Sequence, residues 1–441
     1  MGKVRSWHAK TPHLAHDQRE GWVGPDTIDG VDVDSFRALL GDPGRAAVEH
    51  AGAALDAGGD PLAVATGVRR QFGTLAPQVA AAALTQAQLR RRGRAKFGVD
   101  ADRMWFTPDG VEQATRPEVA ERRAARFARL NDTLGRPARV ADLCCGVGGD
   151  LRALASVGAH VTGYDRDPLT AEVARANLDA LGISGATVEC LDVETLDRSG
   201  FDAAFLDPAR RRDGRRTFDV RAYSPSWPYA VGLLTEMPAA VKVAPGIPHG
   251  VVPEGVEAEW VSFGGELKEA VLWSGSLARR GTRRQATVLP AGATLVDDES
   301  AAGVSAPMRY LYEPDPAVVR AHLVATLAAR IGGALLDATT AYLTSDALTS
   351  TPYARPFEIV DVMPFSLKRL RHELRARGVG AVTIMKRGSA VDVERLRHDL
   401  RLDGDRHLVV VLALIAGKRH ALLATPAATT TGRDLSPAER A

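Results

Sequence analysis

The spacing of apolar residues divides the chain into blocks of different period. Residues 1–32 and 426–441 show none and are expected to be loose tails. Between Asp34 and about Ala95 apolar positions recur at helical spacing, in FRALL, AAVEHAGAALDAG, PLAVATGVRRQFG and APQVAAAALTQAQLRRR. They predict a helical domain over residues 33–130. From Arg136 the period changes. Short β-type runs (ARVADL, HVTGY, TVECL, DAAFLD, AVKVA) alternate with helical ones, which predicts a largely parallel α/β sheet over residues 131–290. EAEWVSF and KEAVLW stand too close together for a helical crossover. They should form an antiparallel hairpin at one edge and complete a seven-stranded sheet. Residues 291–345 read as a connector built on one long amphipathic helix, PAVVRAHLVATLAARIGGALL. Residues 346–425 then alternate β-α-β-α-β-β, as in a small α+β domain.

With 441 residues, 45% hydrophobic and 25% charged, the chain is neither disordered nor fibrous. A formal charge of +2 excludes a polycation, so affinity for nucleic acid would have to come from local patches. Basic runs lie at 90–96 (RRRGRAK), at Arg210, Arg211, Arg212, Arg215 and Arg216, at Arg279, Arg280, Arg283 and Arg284, and at Lys368, Arg369 and Arg371. Spread over the predicted domains, they suit a track for a phosphate backbone. Cys144, Cys145 and Cys190 make neither a disulfide framework nor a zinc site, the histidines show no metal spacing, and no metal is expected. No run approaches the roughly 20 apolar residues of a membrane span, and the N-terminus is polar, so a cytoplasmic protein with no membrane partner is expected. The oligomeric state leaves no trace in the sequence.

The sharpest chemical signal is VADLCCGVGGD, residues 140–150: an apolar strand reaching Asp142, a glycine turn, then a helix. The next three predicted strands also end in acids, at Asp165, Asp192 and Asp207, the last followed by Pro208, Ala209 and Arg210. Carboxylates are costly to bury without partners, so four of them along one sheet edge indicate a ligand. Asp165, 17 residues past Gly148, can accept both hydroxyls of a ribose. Three readings compete. A dinucleotide fold wants a third glycine where Leu151 and Arg152 stand. A degenerate Rossmann-like domain with no activity gives the acids no reason to line one edge, while a module that keeps the cofactor fold without turnover stays open as an alternative. A methyltransferase using S-adenosylmethionine wants a D-x-x-x-G-x-G turn, an acid for the ribose, an acid for the adenine amine and an acid–proline pair after the fourth strand, all present in this order.

On these residues the chain resembles class I S-adenosylmethionine-dependent methyltransferases. CGVGGD, YDRDP and FLDPAR, with TRPEVA at 115–120, are similar to the trimethylguanosine synthase and guanine-N2 methyltransferase branch. Residues 33–425 resemble bacterial methyltransferases that carry a THUMP-like C-terminal domain. The resemblance implies a seven-stranded Rossmann-like methyltransferase sheet between an N-terminal helical domain and a C-terminal α+β THUMP-like domain. It further implies S-adenosylmethionine as cofactor, with Asp142, Gly146 and Gly148 facing its methionine part, Cys144 within the same turn, Asp165 on the ribose and Asp192 on the adenine amine. Asp207 and Pro208 would be catalytic, and Arg210 would stack on a base or clamp a phosphate where the family usually has an aromatic. Because THUMP domains bind RNA, the implied reaction is methylation of a base amine in tRNA or rRNA, against the alternatives of a small-molecule or protein substrate. Tyr223, Trp227 and Tyr229, after the fourth strand, are candidates for stacking on the base or for packing their loop.

Overall fold

The computed structural model describes residues 27–28, 31–209, 211–212, 215–216, 220–387 and 391–427. Six helices open the fold: α1 (Val33–Leu39), α2 (Asp42–Asp56), α3 (Pro61–Gln71), α4 (Pro77–Phe97), α5 (Pro108–Gln113) and α6 (Pro117–Leu134). Their starts follow local chemistry. Asp32, Asp60 and Thr107 cap α1, α3 and α5, and proline occupies the first turn of α2 to α6. Phe36, Phe97, Met104, Trp105 and Phe106 are buried together in the core of this block.

Nine strands form the central sheet: β1 (Arg139–Leu143), β2 (His160–Asp165), β3 (Ala186–Cys190), β4 (Ala203–Leu206), β5 (Ala239–Val243), β6 (Glu257–Phe263), β7 (Glu266–Trp273), β8 (Arg284–Leu289) and β9 (Ala293–Val296), in the order β9-β8-β6-β7-β5-β4-β1-β2-β3. Strands β1 to β5 are mutually parallel and β6–β7 is the expected hairpin, although β8 and β9 continue the sheet beyond it. The count is therefore nine and not seven. Gln285 and Thr287, both fully buried in β8, had hidden that strand by interrupting its apolar pattern. Helices α7 (Gly149–Ser156) and α8 (Pro168–Leu181) cover one face with α6, and α9 (Trp227–Glu236) packs on the other. Asn177 of α8 docks the helical block, since its amide donates to the Trp105 and Val147 carbonyls and accepts from the Trp105 N–H.

The single long helix does not form. The chain makes α10 (Pro316–Arg320), turns through His322, makes α11 (Val324–Ile331) and then extends, so that GGALL leads into a strand. Residues 291–345 are more than a connector: they supply β9, and also β10 (Tyr310–Pro314), β11 (Ala334–Asp337) and β12 (Thr340–Ser345) of a second sheet. That seven-stranded sheet has the order β11-β12-β10-β13-β16-β15-β14, where β13 is Ala354–Pro364, β14 Val379–Lys386, β15 Arg406–Ile415 and β16 Lys418–Pro426. Helices α12 (Leu367–Ala376) and α13 (Val393–Leu400) complete the β-α-β-α-β-β order of the last block. Among the described residues no helix is long and apolar enough to cross a membrane, and no group of acids, histidines and cysteines is arranged to hold a metal.

Candidate active site

In the strand order β4-β1-β2-β3 the chain reverses direction between β1 and β4, and a crevice opens there at the C-terminal strand ends. The crevice measures about 340 Å³. Asp142, Cys144, Gly146, Asp165, Asp207 and Pro208 all line it. The turn after β1 is shaped by left-handed backbone at Cys144 (φ 67°), Gly146 (φ 56°) and Gly148 (φ 87°). It is pinned by the Cys145 N–H, which donates to the Tyr164 carbonyl at 2.9 Å. A Cβ at Gly146 would meet nothing within 4 Å, so the turn borders open space. From the other side α5 closes in, at the limit of contact: a Cβ at Gly110 would fall 2.3 Å from Val147.

The acids differ in their surroundings. Asp142 is wholly buried and neither of its oxygens has a hydrogen-bond partner among the described residues. Burial first, and the Asp207 carboxylate second, push its pKa up to about 8. Asp165 accepts from the backbone of Gly146 (3.1 Å) and Asp167 (3.0 Å), but burial prevails and raises it to about 6. Asp207 is partly exposed and accepts from the Lys242 ammonium at 2.7 Å. Lys242, nearly buried on β5, also donates to Thr115 Oγ1 (2.9 Å), and Thr115 donates to Asp150 (2.7 Å), which pairs with Arg123. A polar chain thus runs from α6 to the acid at the end of β4.

Two residues expected at the site do not line it. Gly148 starts α7 and shapes the turn from behind. The Asp192 carboxylate is turned to cap the short helix Val193–Thr195, accepting from the Glu194 N–H at 3.1 Å. Arg210 lies outside the described residues. The aromatics serve their loop: Tyr223 is buried, with its hydroxyl accepting from the Ala244 N–H and its ring edge-on to Trp227, while the Tyr229 hydroxyl donates to the Val193 carbonyl. The basic run 90–96 is spent on structure. Arg91 and Arg94 pair with Asp56, Arg92 with Glu112, Arg90 lies over Trp105 and Lys96 bonds the Val111 carbonyl. Lys242 escaped the sequence reading. Its signal was a lone cation inside the apolar strand AVKVA, where a buried charge needs a partner.

The chain is 37% identical over 358 residues to an uncharacterized S-adenosylmethionine-dependent methyltransferase of Mycobacterium tuberculosis, which spans 79% of this chain and 95% of the relative. The protein belongs to this methyltransferase family. Residues 140–210 match a methyltransferase domain, residues 354–426 a THUMP domain-like family, and residues 32–93 a domain of unknown function. A solved structure from Porphyromonas gingivalis described as a methyltransferase shares the fold, with a TM-score of 0.66 over 80% of this chain and 92% of that one at 23% identity. A 23S rRNA uracil C5-methyltransferase of Klebsiella pneumoniae is 31% identical over 126 residues, covering 24% of this chain and 27% of its own length. The methyltransferase uses S-adenosylmethionine as its cofactor.

Proposed function

We propose that this methyltransferase modifies an exocyclic amine of a base in tRNA or rRNA. The observation that carries the reading is Asp207, placed on the crevice wall with Lys242 holding one carboxylate oxygen at 2.7 Å. Bound S-adenosylmethionine supplies an electrophilic methyl group on a sulfonium centre. Two features of the crevice fit it: the orphaned Asp142 carboxylate is a partner for the ammonium of the methionine part, and the Gly146 turn leaves room beside Asp165, which suits the ribose hydroxyls. Asp192 would serve the adenine amine through the carboxylate oxygen that its capping bond to Glu194 leaves free.

An exocyclic base amine is a weak nucleophile because its lone pair is conjugated. The oxygen of Asp207 that Lys242 leaves free accepts an N–H of the amine, orients the lone pair toward the methyl group and takes up the proton as nitrogen gains positive charge; the Pro208 carbonyl is a second acceptor. Methylation of a ring carbon through a covalent intermediate would instead need a thiolate. Burial and the neighbouring Asp142 and Asp165 carboxylates push the Cys144 and Cys145 thiols well above their usual range, which disfavours that chemistry. The RNA substrate is supported by the THUMP domain-like match and by the exposed Lys368 and Arg369 at the start of α12.

The test incubates the purified protein and Asp207→Asn with methyl-labelled cofactor and total RNA, DNA and protein from a deletion strain. RNA should take up label, and Asp207→Asn should slow single-turnover transfer by roughly 100-fold or more while its affinity for S-adenosylhomocysteine stays put. Label in protein or DNA alone overturns the RNA reading. Full turnover by the variant overturns the role of Asp207, and cofactor binding without transfer to any polymer leaves a binding module or a small-molecule enzyme.

A further inference from the structure

A second cavity, of about 530 Å³, lies beneath the turn between α10 and α11 and shares no lining residue with the crevice. Its wall is an aromatic stack: Trp260, fully buried in β6, lies under His249 (ring centroids 4.7 Å), and His249 under the exposed His322 (3.8 Å). The stack is rigid. Arg320 donates to the carbonyls of Pro245, Gly246 and Ile247, and His249 Nε2 donates to the Arg320 carbonyl.

His322 is an unusual residue for its place. The Leu323 N–H returns to the Val318 carbonyl and the His322 N–H to that of Val319, a helix stop whose left-handed position normally falls to glycine. Here a histidine adopts φ +59°, at an energetic cost its stacked ring offsets. Glu299, on the same cavity, also has φ +59°. Of the five non-glycine residues with positive φ among the described residues, these two line this cavity and Cys144 lines the cofactor crevice, so local strain concentrates on the two cavities.

The rim carries Arg283 and Arg284 of the basic run that begins at Arg279, which the crevice leaves unused. Arg284 is paired with Asp297, whereas Arg283 is exposed and has no ion pair among the described residues. We propose that this cavity binds a nucleotide, with its base against the open face of His322, its phosphate on Arg283, and Asp297 and Glu299 as acceptors for sugar hydroxyls. That the nucleotide belongs to the RNA strand being methylated rests on the reading above; the nucleotide chemistry does not.

The experiment saturates the protein with S-adenosylhomocysteine, so that the cofactor part of the first crevice is filled, and measures binding of uridine monophosphate and of a short oligouridylate to wild type, His322→Gly and Arg283→Ala. His322→Gly removes the ring at a position where glycine is at ease, and should weaken binding roughly 5- to 100-fold. Arg283→Ala, on the surface, should weaken it less, without loss of stability. S-adenosylhomocysteine affinity should be unchanged in both. Weaker oligouridylate binding supports the proposal with RNA as the source. Weaker binding of the mononucleotide alone supports it with a free nucleotide. Affinities unchanged in both variants, or no binding by wild type, overturn it. Neither arm depends on methyl transfer, so failure of the amine reading would not be mistaken for failure of this one.

Discussion

Two clusters of buried charge stand on the central sheet, and they are arranged in opposite ways. Under the β6–β7 hairpin, Arg126 faces Glu257 (2.7 Å) and Glu259 (3.1 Å) and lies over the Trp273 ring, while Arg123 pairs with Glu269 and lies over Phe205. Every charge there meets an opposite one supplied by the protein. Farther along the same face, Asp142 is as deeply buried but neither oxygen has a hydrogen-bond partner among the described residues, and Asp165 accepts from the backbone N–H groups of Gly146 and Asp167. Leaving a buried carboxylate unsatisfied is costly, and a methyltransferase can keep one only where a ligand completes it. The closed cluster therefore holds the structure together, and the open one is left for a ligand, which we propose is the cofactor.

The largest effect should come from opening the closed cluster. Arg126→Met leaves Glu257 and Glu259 buried without their main counter-charge and should cost about 3–5 kcal/mol of stability in chemical denaturation. A loss near zero would remove the distinction between the clusters.

Next comes the link between them. Lys242→Met keeps the volume but releases Asp207, so kcat should fall about 10- to 100-fold, roughly 1.4–2.7 kcal/mol, with the affinity for S-adenosylhomocysteine unchanged. An effect on KM alone would show that Lys242 binds substrate and does not position the acid.

The open cluster should reveal itself through pH. The folded-state pKa of Asp142, about 8, stands above its ordinary 3.8, so folding favours the protonated form. Its contribution is complete below about pH 4 and is lost as pH rises toward 8. Unliganded wild type should therefore lose stability between pH 5 and pH 8, and Asp142→Asn should lose roughly 3–4 kcal/mol less over that interval. Cofactor affinity of the wild type should rise over the same window, because an ammonium needs the ionised carboxylate. Equal pH slopes in the two proteins would show that Asp142 has a partner after all.

The smallest effect belongs to the exposed pairs. Arg94→Ala removes contacts to Asp56 and Asp102 on the surface, where solvent screens them, and should barely change stability and leave RNA affinity as it was. A marked loss of RNA affinity would return the run 90–96 to the RNA-binding surface.

Much of the open cluster was legible in the sequence. A strand that runs into Asp142, a turn with Gly146 and Gly148, and acids at the ends of the next strands are local patterns, and period-two alternation alone carries each to the C-terminal edge of a parallel sheet. The closed cluster was not legible. Arg126 and Glu257 stand 131 positions apart, and an arginine on a polar-looking helix face carries no mark of the glutamate it will meet. The strand at 284–289 was hidden for the same reason: its buried Gln285 and Thr287 read as polar until Glu259 is seen receiving the Thr287 hydroxyl at 2.5 Å.

The sequence by itself determined what depends on neighbours along the chain: the succession of helical and β-type blocks, the glycine turn after β1, and the acid–proline pair after β4. The tertiary structure alone decided what depends on partners brought from afar. It broke the long helix at His322, whose ring stacks on His249 in a conformation that local preference would refuse; it turned Asp192 into a cap; and it aimed Lys242 at Asp207. Periodicity and capping act over a few residues, whereas the cost of a buried charge or a strained residue is settled only by what packs against it.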